Sequence, residues 1–335
     1  MFSFFKSNNP SVVIFYIFYL ALFRIGFAFI PVDSGFVFEH REPISKILFG
    51  FLKNFSQNQL LLSLILSAVL CFIQSLFINQ IVNDNKILLR KSYIAGLLFI
   101  IFSSFFKESI LLSPASISIT FLLLSTGKIF GLFKKEKATS DIFDIGFLVG
   151  VASLFYFPSV LFIIFAYIGV ATLRPFIYRE WLVVWLGFLS PLIMIFTYYF
   201  WNDYTSFLFS DLLSRHSSGW LQPTVMGYIN WALIGSITIV ALGLLTLLPS
   251  ALYSSLIQVR KFSTLLVLFI VFTAVSFALQ QQISLSHFVF LALPLSIIAC
   301  LVIAQIKRKV ISEVIHIILI LLVLTGQFLP LFNLF

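Results

Sequence analysis

The chain has 335 residues, 61% of them hydrophobic and only 10% charged, and its mean hydropathy is +1.10. A soluble domain carries about 25% charged residues, so the composition excludes a water-soluble globule, a disordered chain, a coiled coil and a secreted disulfide scaffold, and leaves a multi-pass membrane protein. The net charge of +9 would suggest nucleic acid on a soluble protein. Here it points to basic loops on the cytoplasmic side of a membrane, and no nucleic-acid partner is expected.

A transmembrane helix needs about 20 mostly apolar residues. Runs between charged or Pro/Asn-rich breaks predict eleven spans, over 11–31, 59–82, 92–106, 113–133, 142–156, 158–174, 181–201, 229–253, 263–281, 284–304 and 310–332. Only Lys6 is charged ahead of the first run, and no small-residue cleavage site follows it, so that run is expected to be a retained span rather than a signal peptide. Cys71 and Cys300 lie inside apolar runs and are expected to be unpaired thiols. The 43 phenylalanines suit a lipid-facing surface and carry no function of their own.

The runs 142–156 and 158–174 meet at Tyr156-Phe157-Pro158 with no charge between them. They are either a tight hairpin of two short helices or one kinked element. Charge bias favours the hairpin. With eleven spans and the N-terminus inside, the cytoplasmic loops hold fifteen of the 21 Lys and Arg. These are Lys6, Lys86, Arg90, Lys91, Lys128, Lys134, Lys135, Lys137, Arg174, Arg179, Arg260, Lys261, Lys307, Arg308 and Lys309. Fusing 142–174 into one crossing would move Arg174, Arg179 and the Lys307–Lys309 group outside, against the positive-inside rule. The C-terminus is then expected outside. The whole chain, 1–335, reads as a single transmembrane domain with no soluble domain and no clear repeat.

Two outer loops are long, 32–58 and 202–228. The first carries Asp33, then Glu39-His40-Arg41-Glu42-Pro43. After it, Ile44, Ile47, Leu48, Phe51, Leu52 and Phe55 recur at helical spacing. This predicts an amphipathic helix over 44–55, lying in the outer interface, with Pro43 suited to its first turn. The second loop carries Asp203, Asp211, Arg215, His216 and Trp220, and its stretch 204–213 is a candidate second interfacial helix.

The candidate chemistry gathers on the outer side. Carboxylates in the first loop can serve as a general base, hold a divalent cation that neutralises a phosphate leaving group, or simply pair with Arg41 in a solvated loop. Lys107-Glu108, in the short loop before Pro114, is either an interfacial ion pair or a cavity-facing one. Arg24 lies inside the first span; it either snorkels to the surface or faces a cavity, where a lipid phosphate is its natural partner. Arg215-His216 can bind phosphate, and His287 opens the tenth span on the same side. On the inner side, Asp141 and Asp144 are expected to cap the fifth span, and Glu313 and His316 to form an interfacial pair. No P-loop, GxSxG, HExxH or dinucleotide fingerprint is present.

The order of a first span, an acidic outer loop with an interfacial helix and many short spans joined by basic inner loops resembles the GT-C superfamily of membrane glycosyltransferases. Ser113-Pro114, Lys134-Lys135-Glu136-Lys137, Asp144-Ile145-Gly146-Phe147-Leu148-Val149-Gly150 and the Pro158 hairpin add to the likeness, which covers roughly 11–200. It implies an all-α polytopic bundle that transfers sugar from a polyprenyl-phosphate donor at the periplasmic face of a bacterial inner membrane. Asp33 takes the usual place of the base, and Glu39 is second choice. Arg24, His40, Arg41, Glu42, Lys107, Glu108, Arg215, His216 and His287 become candidates for substrate binding. The chain departs from the pattern in lacking a DxD and a soluble outer domain. The start Phe4-Phe5-Lys6-Ser7-Asn8-Asn9-Pro10 is also similar to that of a family of multi-pass Bacteroidota membrane proteins, from which no activity follows. Two other readings stand beside the transferase: a non-catalytic scaffold for an envelope-assembly protein, and a lipid or small-solute transporter.

Overall fold

A helix that is apolar on every side has no face to offer water. Ile94–Ser103 is such a helix, and all ten of its residues are buried. The computed structural model describes residues 5, 10–25, 43–55, 58–175, 177–203, 228–253, 255–280, 284–306 and 308–332. Among them are thirteen α-helices and no strand. In chain order they are α1 (Ile14–Arg24), α2 (Pro43–Phe55), α3 (Gln59–Asp84), α4 (Ile94–Ser103), α5 (Lys107–Ile110), α6 (Pro114–Gly131), α7 (Thr139–Phe155), α8 (Phe162–Leu173), α9 (Tyr178–Trp201), α10 (Tyr228–Leu252), α11 (Ile257–Ser276), α12 (Val289–Gln305) and α13 (Lys309–Phe332). Seven of them, α3, α6 and α9 to α13, are long and apolar enough to cross a membrane. The chain is a membrane protein by this architecture.

Buried α4 and α12 pack together at the centre. The outer helices turn large apolar side chains outward, such as Leu186 and Met194 on α9 and Ile239 on α10. Water would oppose this arrangement; lipid does not. Cross-links identify two ends. At one end, Gln258 Nε2 donates to the Asn85 carbonyl (3.3 Å) and Lys261 Nζ to that of Thr172 (2.9 Å). At the other, Leu112 N–H donates to Ser63 Oγ (2.8 Å), Leu285 N–H to Glu108 (2.9 Å) and Gln327 Nε2 to the Ser104 carbonyl (3.4 Å).

The first of these is a basic end. Its ion pairs fasten the α6–α7 and α8–α9 turns. Lys128 reaches Asp144 at 2.8 Å and Asp141 at 3.2 Å, and Lys135 also pairs with Asp141. Arg174 grips Glu180 through Nη2 (2.7 Å) and Nε (3.0 Å), with both side chains nearly buried. Asp141 lies in the first turn of α7 as expected, but it and Asp144 are also held by cross-helix pairing rather than by a side-chain cap. The residue before α7 is Ala138, which has no side chain to cap with, and two ammonium groups lie within reach of the acids.

Arg174 also settles the 142–174 question. Its guanidinium donates to the carbonyls of Lys135 and Glu136, the residues just ahead of α7. The end of α8 therefore returns to the start of α7, and the segment is a hairpin of two helices. Phe157–Leu161 forms a 3₁₀ turn between them. Ser118 Oγ closes this turn by donating to the Ala152 carbonyl (3.0 Å) and bonding Ser159 Oγ (2.6 Å). Ser113 and Ser116 form a capping box ahead of α6, with Pro114 in its first turn.

The predicted amphipathic helix is present as α2, turned differently on its axis. Ser45 and Phe49 are fully buried, while Ile47 and Phe51 are 51% and 66% exposed. Ser45 Oγ donates to the Phe155 carbonyl at the end of α7 (2.6 Å), and Phe49 packs on Leu112, Leu66, Leu70 and Ile117. These two slots rotate the apolar stripe about a quarter-turn away from the bundle. His316, expected to pair with Glu313, also reaches across the bundle. His316 is 1% exposed, and its Nε2 bonds Tyr19 Oη at 3.0 Å, tying α13 to α1.

Helices α7 and α9 touch backbone to backbone. A Cβ on Gly146 would stand 2.1 Å from the Val184 carbonyl oxygen, and one on Gly187 2.2 Å from that of Phe143. Small residues permit such an approach in lipid, where packing rather than water drives association. Pro191 of α9 cannot donate to the Gly187 carbonyl, and Ser190 Oγ does so instead at 2.8 Å. We expect Gly146→Ala and Gly187→Ala each to destabilise the protein by about 1–3 kcal/mol. Gly235→Ala, at a site with nothing within 4 Å, stays within about 0.5 kcal/mol of the parent. Unfolding in detergent by SDS titration measures both. Equal stability of all three variants would contradict the close approach.

Candidate functional site

Polar groups in an apolar bundle must find partners or remain costly. At the end opposite the basic cluster they form a belt through the termini of α1, α3, α4, α6, α7, α11 and α12. The belt starts at Arg24, in the last turn of α1. Arg24 Nη2 donates to Ser67 Oγ at 3.3 Å and Nη1 to the Leu20 carbonyl at 3.4 Å, both long contacts. Its Nε is buried and has no partner. Among the described residues, no carboxylate pairs with the guanidinium. Ser67 Oγ in turn donates to the Ile110 carbonyl, which links Arg24 to α5 and its neighbours Lys107 and Glu108.

Glu108 binds the start of the α12 segment. Its carboxylate accepts from the Leu285 N–H at 2.9 Å, and Ser109 Oγ donates to the Leu285 carbonyl at 3.4 Å. An acid at a helix start complements the positive end of the dipole. The side chain is open to the exterior on one side. Partial burial still raises its carboxyl pKa, against the opposing pull of the Leu285 and Ser286 N–H groups, Ser284 and Lys107. That exposure keeps the effect on stability small.

His287 is fully buried. Its Nε2 lies 3.2 Å from the Thr273 carbonyl and 2.9 Å from Ser276 Oγ. A carbonyl only accepts, so Nε2 carries the proton. Nδ1, 3.0 Å from Tyr156 Oη, is then the acceptor of the tyrosine proton. Gln280 Nε2 donates to the same Tyr156 oxygen at 2.7 Å, and Gln280 Oε1 accepts from the Ser284 N–H at 3.2 Å. Donors and acceptors alternate along this chain, so each bond supports the next.

The structure thus brings Arg24, Lys107, Glu108 and His287 to one end of the bundle. Asp33, Glu39, His40, Arg41 and Glu42 fall in 26–42, and Arg215 and His216 fall in 204–227; these lie outside the described residues. The helix ends that flank both segments belong to this same end. Tyr156, Gln280 and Ser67 were missed as belt members. The sequence marks Tyr156 only as a break between two runs, while Ser67 is a single polar residue in an apolar run and Gln280 opens the polar stretch Gln280-Gln281-Gln282. Among the described residues, no three His, Cys, Asp or Glu converge as metal ligands. Cys71 and Cys300 are buried and are not joined in a disulfide. No family model, curated protein or solved structure matches the chain.

Tyr156→Phe and His287→Ala each leave a buried partner unsatisfied, which costs about 1–3 kcal/mol. Because the two groups serve one another, we expect the double variant to lose less than the sum of the singles by at least about 0.5 kcal/mol. SDS-titration stability of the four proteins closes the cycle. Simple additivity would contradict the bond assignment.

Proposed function

We propose that the chain is a GT-C-like glycosyltransferase of a bacterial inner membrane, taking its sugar from a polyprenyl-phosphate carrier. In this reading it crosses the membrane eleven times, with the basic end in the cytoplasm, the C-terminus in the periplasm and the belt at the periplasmic face. One observation carries the reading: the partly unsatisfied guanidinium of Arg24. A cation inside an apolar bundle is expensive without a counter-charge. A phosphate oxygen of a lipid carrier would supply both the charge and the acceptor that Nε lacks. Lys107, on α5, is proposed to add a second positive charge.

The acceptor hydroxyl needs a base, and Asp33 is our first assignment, with Glu39 second. The carboxylate takes the hydroxyl proton, the acceptor oxygen bonds the anomeric carbon, and the bond to the carrier phosphate breaks. His40, Arg41, Glu42, Arg215 and His216 are proposed to line the substrate's path, and a divalent cation can assist at the leaving phosphate. In purified protein supplied with a polyprenyl-phosphate sugar and acceptor, Asp33→Asn is expected to lower transfer at least about 100-fold. Arg24→Gln is expected to weaken retention of the lipid phosphate while the protein stays folded. Unchanged transfer in both Asp33→Asn and Glu39→Gln overturns the base assignment.

A scaffold for an envelope-assembly partner is the second reading. The closed Tyr156–His287–Gln280 chain favours it, since those groups are spent on holding helices together. Co-purification of a stoichiometric protein partner, with no lipid phosphate retained, would decide for it.

A further inference from the structure

Residues 84–92 join α3 to α4 at the basic end, and their base is rigid. Asn83 staples the neck of the loop: its Oδ1 accepts from the Ser92 N–H at 3.1 Å, and its Nδ2 donates to the Ser92 carbonyl at 3.3 Å. Lys86 takes a left-handed turn, with φ 49°. Ile87 then drops into the core at 5% exposure, and its N–H donates to the Val82 carbonyl at 3.0 Å. Above this base Leu89 is 98% exposed, and Lys86, Arg90 and Lys91 are exposed around it. Asp84 is the loop's one acid.

The neighbouring turn repeats the pattern. Gln258, in the first turn of α11, binds the Asn85 carbonyl. Beside it Ile257 is 72% exposed, Tyr253 is 88% exposed, and Arg260 is also exposed. Two adjacent, well-anchored turns therefore each hold apolar side chains outward among cations. Full exposure of a leucine to water forgoes the free energy of its burial. Here a staple and a buried isoleucine hold it in that position.

We propose that this surface is an anchor for an anionic membrane leaflet. Leu89 and Ile257 insert below the headgroups, and Lys86, Arg90, Lys91 and Arg260 hold lipid phosphates. Lipid is favoured over an acidic protein segment by position. The loop follows directly on α3, whose outward stripe of Leu61, Ile65, Val69 and Ile73 already faces the hydrocarbon. A turn at the end of such a helix lies at headgroup depth, where basic-apolar combinations bind anionic lipid. The proposal does not depend on the transferase reading.

The test uses the full chain with Leu89→Cys carrying a spin label, since Cys71 and Cys300 are buried. The protein is reconstituted in phosphatidylcholine vesicles with or without phosphatidylglycerol. In the anionic vesicles the label is expected to collide with oxygen rather than with a water-soluble nickel chelate. Arg90→Gln and Lys91→Gln are each expected to reduce the preference for phosphatidylglycerol about 5-fold. A label equally open to the chelate in both vesicles overturns the proposal. So does insertion that is indifferent to lipid charge and to both substitutions. Burial of the label on adding polyglutamate, but not with phosphatidylglycerol, makes the surface a protein dock and likewise overturns it.

Discussion

Twenty-one cations and twelve acids must be placed on a molecule whose middle tolerates neither. A charge in hydrocarbon is costly, and an unpaired one more so. Nearly all charges are therefore driven to the two ends of the bundle, and the two ends become chemically different. One is crowded with cations, and Asp141, Asp144 and Glu180 there are held in pairs such as Lys128–Asp144 and Arg174–Glu180. Among the described residues, the other carries fewer cations and an extended run of neutral hydrogen bonds. Arg24 is the exception at that second end, a cation that pairs with no acid among the described residues. The functional reading starts from this exception.

The same scarcity of charge explains how the middle is held together. Lipid gives no hydrophobic drive for helix association. The chain instead uses close backbone contact at Gly146 and Gly187 and single polar residues that meet across helices. Gln74 donates to the Ser116 carbonyl at 2.8 Å and to Thr120 Oγ1 at 2.7 Å. Asn79 donates to Tyr16 Oη at 2.7 Å and accepts from the Gly96 N–H at 2.8 Å. Each contact fixes one helix pair in both register and rotation. A scaffold needs that rigidity, and so does a transferase that must hold a lipid phosphate beside an acceptor.

Much of the architecture was legible because apolar runs and their breaks are local. Each predicted run overlaps a helix, and the turn at Tyr156-Phe157-Pro158 divides two helices because Pro158 and the buried Ser159 favour a 3₁₀ turn there. Charge bias indicated the hairpin before Arg174 displayed it. What stayed hidden were contacts between distant positions. Tyr156 and His287 are 131 residues apart, and nothing local pairs them. The rotation of α2 was misread for a related reason. The periodicity shows where apolar residues fall, but the fit of Ser45 and Phe49 into their slots decides which side meets the protein. For the site, Arg24, Glu108 and His287 were legible as polar exceptions in apolar surroundings, while the belt that joins them was not.

The central claim of the proposal is that the two ends of the bundle face opposite sides of one membrane, with the basic end in the cytoplasm. Cysteines introduced at Lys107 and at Lys137 report on them directly in intact, right-side-out vesicles or spheroplasts treated with a membrane-impermeant maleimide. The account predicts that Lys107→Cys is labelled at once and Lys137→Cys only after the membrane is permeabilised. Labelling of both from the same side, or in the reverse order, would contradict it.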